Sequence, residues 1–150
     1  MASGATGEPG AGSDARDAAG APVSRRHVSS GGPWEATAGY SRALAVGDAC
    51  FVSGTTDAGP QGVSRHPGDA AGQARAVFAI IDGALAEAGF ALADVVRTRM
   101  FIVDPADAAA VIAVHGELFH DIRPASTLVV VARLIDPTLL VEIEVDARRG

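Results

Sequence analysis

The chain has 150 residues, 48% of them apolar, enough for one domain with a substantial core. Its net charge of -6 argues against a nucleic-acid surface, which needs a basic stripe. Every basic side chain is Arg or His, so no lysine amine is present to form a Schiff base or to hold pyridoxal phosphate.

The lone cysteine, Cys50, excludes an internal disulfide and fits a reducing compartment. Its apolar neighbours in ACFVSG predict a buried thiol, not a reactive one. No run approaches the roughly eighteen apolar residues of a membrane span, and the N-terminus lacks an apolar signal core. A cytoplasmic location away from membranes is expected. The absence of both Lys and Asn points to a GC-rich genome of actinobacterial type.

Residues 1–22 are dominated by Gly, Ala, Ser, Pro and Asp. Such a segment cannot bury enough surface to offset its ordering entropy, so a disordered tail is expected, with a single domain over 23–150. A short first strand is expected around His27-Val28. Pro33 to Tyr40, with the only Trp and the only Tyr, reads as a loop. Ser41 to Val46 and Ala49 to Ser53 read as a hairpin turning at Gly47-Asp48. A Gly/Pro-rich loop spans Gly54 to Gly68.

Asp69 to Ala88 carries Ala74, Val77, Phe78, Ile81 and Leu85 at three- and four-residue spacing, one apolar stripe of a helix. Asp69 is its expected N-cap and Gly89 its stop. Val95 to Val103 alternates as a strand, with Arg97, Arg99 and Phe101 on one face and Thr98, Met100 and Ile102 on the other. Asp104-Pro105 opens a second helix, with Val111, Ile112, Leu118 and Phe119 as its expected buried side, ending near His120.

Two short β-branched segments follow, Thr127 to Arg133 and Leu139 to Val145, joined by a turn around Asp136-Pro137. In the second, Val141, Ile143 and Val145 alternate with Glu142, Glu144 and Asp146, so three carboxylates share one face. The order strands, helix, strand, helix, strand-strand predicts an α+β fold with two helices on one face of a mixed sheet. Leu128 to Val131 make both faces of their strand apolar. The sheet's open face therefore needs cover, and self-association supplies it most simply.

GYSRALAVGDACFVSGT, GDAAGQARAVFAIIDGALAEAG, DVVRTRMFIVD, VARL and VEIEVDA, in this order over residues 33–147, resemble the Rid family. These are the reactive intermediate deaminases, also called YjgF-like or L-PSP endoribonuclease-like proteins. The resemblance implies a chorismate-mutase-like fold assembled as a homotrimer, with ligand clefts between subunits. It implies hydrolysis of enamine or imine intermediates, such as 2-aminoacrylate, to a 2-keto acid and ammonia without a cofactor.

Position by position, the resemblance makes Tyr40 the cleft tyrosine, Ser53-Gly54 the lining backbone and Glu142 the carboxylate that orients a water. Tyr40 could equally anchor its loop, and Glu142 without the resemblance reads as a solvated strand face. The family's substrate-clamping Arg falls at Ser126, in P-A-S-T, while a cleft Asn falls at Ile112 and a cleft Cys at Leu128. A serine hydroxyl cannot reproduce a bidentate guanidinium–carboxylate pair. Either Arg123 or Arg99 restores anion binding, or the ligand is not a small 2-imino acid; the plainer readings are a surface Arg123 and an ion-paired Arg99.

His115 and His120 lie five apart, not the four that puts two ligands on one helical face, and no metal site is expected. Two readings stand. One is a cofactor-free hydrolase of imines, or a tailoring lyase or cyclase, using Glu142 and Tyr40. The other is a trimer that binds a small metabolite without chemistry.

Overall fold

The computed structural model describes Arg16, Gly20 and residues 22–150. The expected tail therefore lies almost wholly outside the described residues. Strands β1 (Arg25–Val28), β2 (Ala43–Val46), β3 (Ala49–Thr55), β4 (Val95–Ile102), β5 (Ala125–Val130) and β6 (Val141–Arg148) form one mixed sheet in the order β1-β2-β3-β6-β4-β5. Only the β4–β5 pairing is parallel. Helices α1 (Pro33–Ala38), α2 (Ala70–Ala88) and α3 (Ala108–Phe119) complete the chain.

The core lies between the sheet and the pair α2 and α3. Val141, Ile143, Val145 and Ala147 of β6 point into it with Met100 and Ile102 of β4, Cys50 and Val52 of β3 and Ala43 of β2. From α2, Ala74, Val77, Phe78, Ile81 and Leu85 meet them, the stripe that the spacing predicts. Asp69 caps this helix by accepting from Gly72 N at 2.8 Å. Gly89 ends it at φ 85°, a backbone conformation that glycine adopts without a Cβ clash. No helix among the described residues is long and apolar enough to cross a membrane.

Four expectations need correction. Pro33 to Ala38 is a helix, not a loop: Pro sits in its first turn, and Gly39 at φ 70° stops it. Helix α3 begins later than expected, because a 3₁₀ turn over Pro105–Asp107 precedes it. Its buried side is Val111, Val114 and Phe119, while Ile112 is 54% exposed and Leu118 is also exposed. AAAVIAVHGELF is apolar nearly all round, so spacing cannot phase it. Finally, β5 covers Ala125–Val130, and β4 separates it from β6, so the two C-terminal strands are not neighbours.

A single buried side chain joins the two long loops to α2. Gln73 Nε2 donates to the carbonyls of His66 (3.1 Å) and Thr138 (2.9 Å), and its Oε1 accepts from Leu140 N at 2.7 Å. Buried Asp57 accepts from Ser64 Oγ and His66 N in the first loop. Residues 56–68 are thus fastened by hydrogen bonds in place of a hydrophobic anchor.

Candidate active site

The sheet face away from α2 and α3 carries Glu142, Glu144 and Asp146, with Arg97, Arg99 and Phe101 opposite them on β4. Arg99 bonds Glu144 at 2.9 Å and Asp146 at 3.3 Å, and Arg97 approaches Asp146 at 3.8 Å. These pairs neutralise the far end of the acidic row. Arg99 is therefore committed within the face.

Glu142 is set differently. It is half-buried, and burial, reinforced by the neighbouring Glu144 carboxylate, pushes its pKa above the ordinary 4.5; Arg42 opposes the shift. Its carboxylate rests on Gly54, where any Cβ would collide with Oε1. The β3–β6 register slips between Val52 and Thr55, so Ser53 and Gly54 sit on a bulge. Arg42 Nη1 supports that bulge by donating to the Gly54 carbonyl at 2.9 Å and to Thr55 Oγ1 at 2.8 Å.

Sequence reasoning missed Arg42, although it stands two residues before Leu44 and shares its open-face parity. Ser53 Oγ donates to the Ser41 carbonyl at 2.7 Å, which ties the bulge to the segment carrying Tyr40. Tyr40 is 38% exposed and lines a shallow cleft with Ser53, His27, Phe51 and Asp146. Gly54 and Glu142 thus meet at the bulge on the open face, while Tyr40 and Ser53 line the adjoining cleft, whose acidic residues are Glu144 and Asp146.

The remaining predicted residues gather elsewhere. Ser126 pairs in register with Thr98, whose fully buried side chain faces α3. Leu128 likewise pairs with Met100, and Ile112 projects from the outer side of α3. Arg123 follows α3 at φ 52°, the one non-glycine residue with positive φ among the described residues. It lines a cleft with His115, Phe119, His120 and Pro124. Within one chain, β4 and the sheet itself separate this group from Glu142.

The family model described as Endoribonuclease L-PSP matches residues 33–149. The chain belongs to this family, the Rid or YjgF family. An uncharacterized protein of Streptomyces coelicolor is 42% identical over 83% of this chain and 92% of its own length. A protein of Acinetobacter baylyi named 3-aminoacrylate deaminase RutC is 37% identical, over 69% of this chain and 82% of its own. Among solved structures, Rv2704 of Mycobacterium tuberculosis, described as a member of the YjgF/YER057c/UK114 family, is 44% identical. It superposes with a TM-score of 0.76, covering 84% of this chain and all of that one. The mixed α+β Rid fold expected from the sequence is the fold observed.

Proposed function

We propose that this chain is a cofactor-free hydrolase of a reactive imine or enamine, working in the cytoplasm as a homotrimer whose clefts combine two subunits. Glu142 carries the reading. A half-buried carboxylate with a raised pKa holds a proton more readily than an exposed one, which suits it to take a proton and return it. As water attacks an iminium carbon, Glu142 removes its proton and leaves a carbinolamine. Glu142 then returns that proton to nitrogen, and the C–N bond breaks as the carbonyl forms. Ammonia leaves, and the remaining hydroxyl proton passes to solvent. Tyr40 and the Ser53-Gly54 backbone hold the ligand beside it.

The division of the candidate residues between two sheet faces supports the trimer, because only a neighbouring subunit can bring the Ser126 group to the Glu142 group. Phe51, 48% exposed, and Val129 leave apolar area on the open face for that contact. The deaminase name of the Acinetobacter relative favours the reaction class. The serine at position 126 favours a second reading, in which the cleft binds or tailors another small molecule.

The test is keto-acid release from 2-aminoacrylate generated in situ, with the unaltered protein, Glu142→Ala and Ser126→Arg. Acceleration abolished by Glu142→Ala, in a protein that still assembles, is the expected result. Activity gained only with Ser126→Arg would assign the cleft to a different ligand, and unchanged turnover in Glu142→Ala would remove the carboxylate's role.

A further inference from the structure

The bulge beneath Glu142 rests on Arg42. Its Nη1 donates to the Gly54 carbonyl at 2.9 Å and to Thr55 Oγ1 at 2.8 Å, and its own carbonyl accepts from Ser53 N at 3.0 Å. A guanidinium only donates, so the direction of its bonds is fixed. Gly54 in turn lies against the Glu142 carboxylate and leaves no room for a Cβ. One residue of β2 thereby sets the backbone against which that carboxylate sits.

The charge of Arg42 differs from those beside it. Arg97 and Arg99 pair with Glu144 and Asp146, whereas Arg42 makes no ion pair among the described residues, and its Nε is buried without a partner. A partly buried guanidinium with no carboxylate in contact acts through space, with less screening than in open water. Burial and the Glu144 carboxylate push the Glu142 pKa up, and Arg42 is the charge that opposes them. Arg99, farther along the face, is neutralised by its own partners, and the β4 residue opposite Glu142 is the uncharged Phe101. The other carboxylate within reach of Arg42 is Glu35 of α1, which Ser29 and Ser30 already hold by hydrogen bonds.

We propose that Arg42 is a positioning residue for Glu142 in two respects: its Nη1 holds the Gly54 bulge under the carboxylate, and its unpaired charge favours the ionised carboxylate. Glu142 then begins each cycle free of a proton and readily gives up the one it takes from the attacking water. The inference rests on the imine-hydrolysis reading for that proton transfer, and not for the pairing of Arg42 with Glu142.

The full-length protein is titrated with two readouts. One is carboxyl-carbon NMR of the glutamates, with the Glu142 signal assigned by its loss in Glu142→Gln. The other is the pH profile of kcat for hydrolysis of 2-aminoacrylate generated in situ. Arg42→Gln keeps a donor for the Gly54 carbonyl and removes the charge, so the Glu142 midpoint and the acid limb of the profile should both move to higher pH, by the same amount. Arg42→Lys keeps the charge and should leave both near their places. Arg42→Met removes charge and donor together; it should move the midpoint as Arg42→Gln does and lower the melting temperature as well. A midpoint that stays in place in the two neutral variants, or that Arg42→Lys displaces as far as Arg42→Gln, overturns the proposal, whatever the melting temperature does. A midpoint that moves in a protein hydrolysing no imine sinks the reaction and keeps the pairing. Hydrolysis that Glu142→Gln abolishes, with an acid limb indifferent to Arg42→Gln, sinks this inference alone.

Discussion

The two faces of this sheet solve the same problem, placing polar groups beside a cleft, in opposite ways. On the open face, Glu142 is held against Gly54 under conditions that disfavour its charge, while Arg99, Glu144 and Asp146 neutralise one another nearby. On the helix face, Ser126, Thr98 and His115 form a neutral chain in which each hydrogen bond orients the next. The first arrangement holds a carboxylate with a raised pKa at some expense of stability. The second fixes geometry and stores no charge. A reacting group belongs on the first kind of surface and a recognition group on the second.

The sharpest way to break this contrast is Glu142→Gln. Turnover of the imine should fall by about 100-fold or more. The melting temperature at neutral pH should hold or rise, because the variant no longer confines an ionised carboxylate. A melting temperature that drops together with activity would mean that Glu142 is a structural partner. Gly54→Ala comes next. The added methyl must push the carboxylate aside, which costs far less than overpacking a core because the displaced atom is the far end of a flexible, half-buried side chain. Denaturant unfolding should show little loss, whereas kcat should fall as the carboxylate leaves its place.

Thr98→Val tests the neutral face. Replacing a buried hydroxyl that bonds at both ends should cost about 1 kcal/mol, with kcat changed far less than by Glu142→Gln. The smallest effect is the pH dependence of stability, where the faces should slope in opposite directions. Glu142, with a raised folded pKa, contributes stability that is complete below 4.5 and is lost as pH rises through its folded value. His115, with a lowered folded pKa, contributes stability that is complete above 6.5 and is lost as pH falls through its folded value. Unfolding measured across pH in Glu142→Gln and in His115→Phe should remove one slope each.

What was legible in the sequence follows the same divide. Alternation in VEIEVDA and VVRTRMFIV told which side chains share a face, because a strand's period leaves no other choice. The stripe and caps of α2 were equally readable, since Asp69 and Gly89 mark both ends. Helix α3 was mis-phased at Ile112 and Leu118, since a nearly all-apolar helix carries no directional signal. Partnerships across distance were not legible. Nothing local ties Arg42 to the Gly54 carbonyl or His115 to Thr98; such contacts exist only once β2 meets β3 and α3 covers β4. Nothing near His115 in the sequence points to its hydroxyl partner, which lies seventeen residues away.

Cys50 lies in the core at 0% exposure, and the desolvated thiol has a raised pKa. The chain also has no lysine. Imines and the carbonyl compounds they release are electrophiles that modify amines and thiolates. In the folded state this chain offers them neither a lysine amine nor an exposed thiolate. Its one thiol becomes reachable only when the sheet parts from α2, so the rate of thiol alkylation would serve as a clock for that opening.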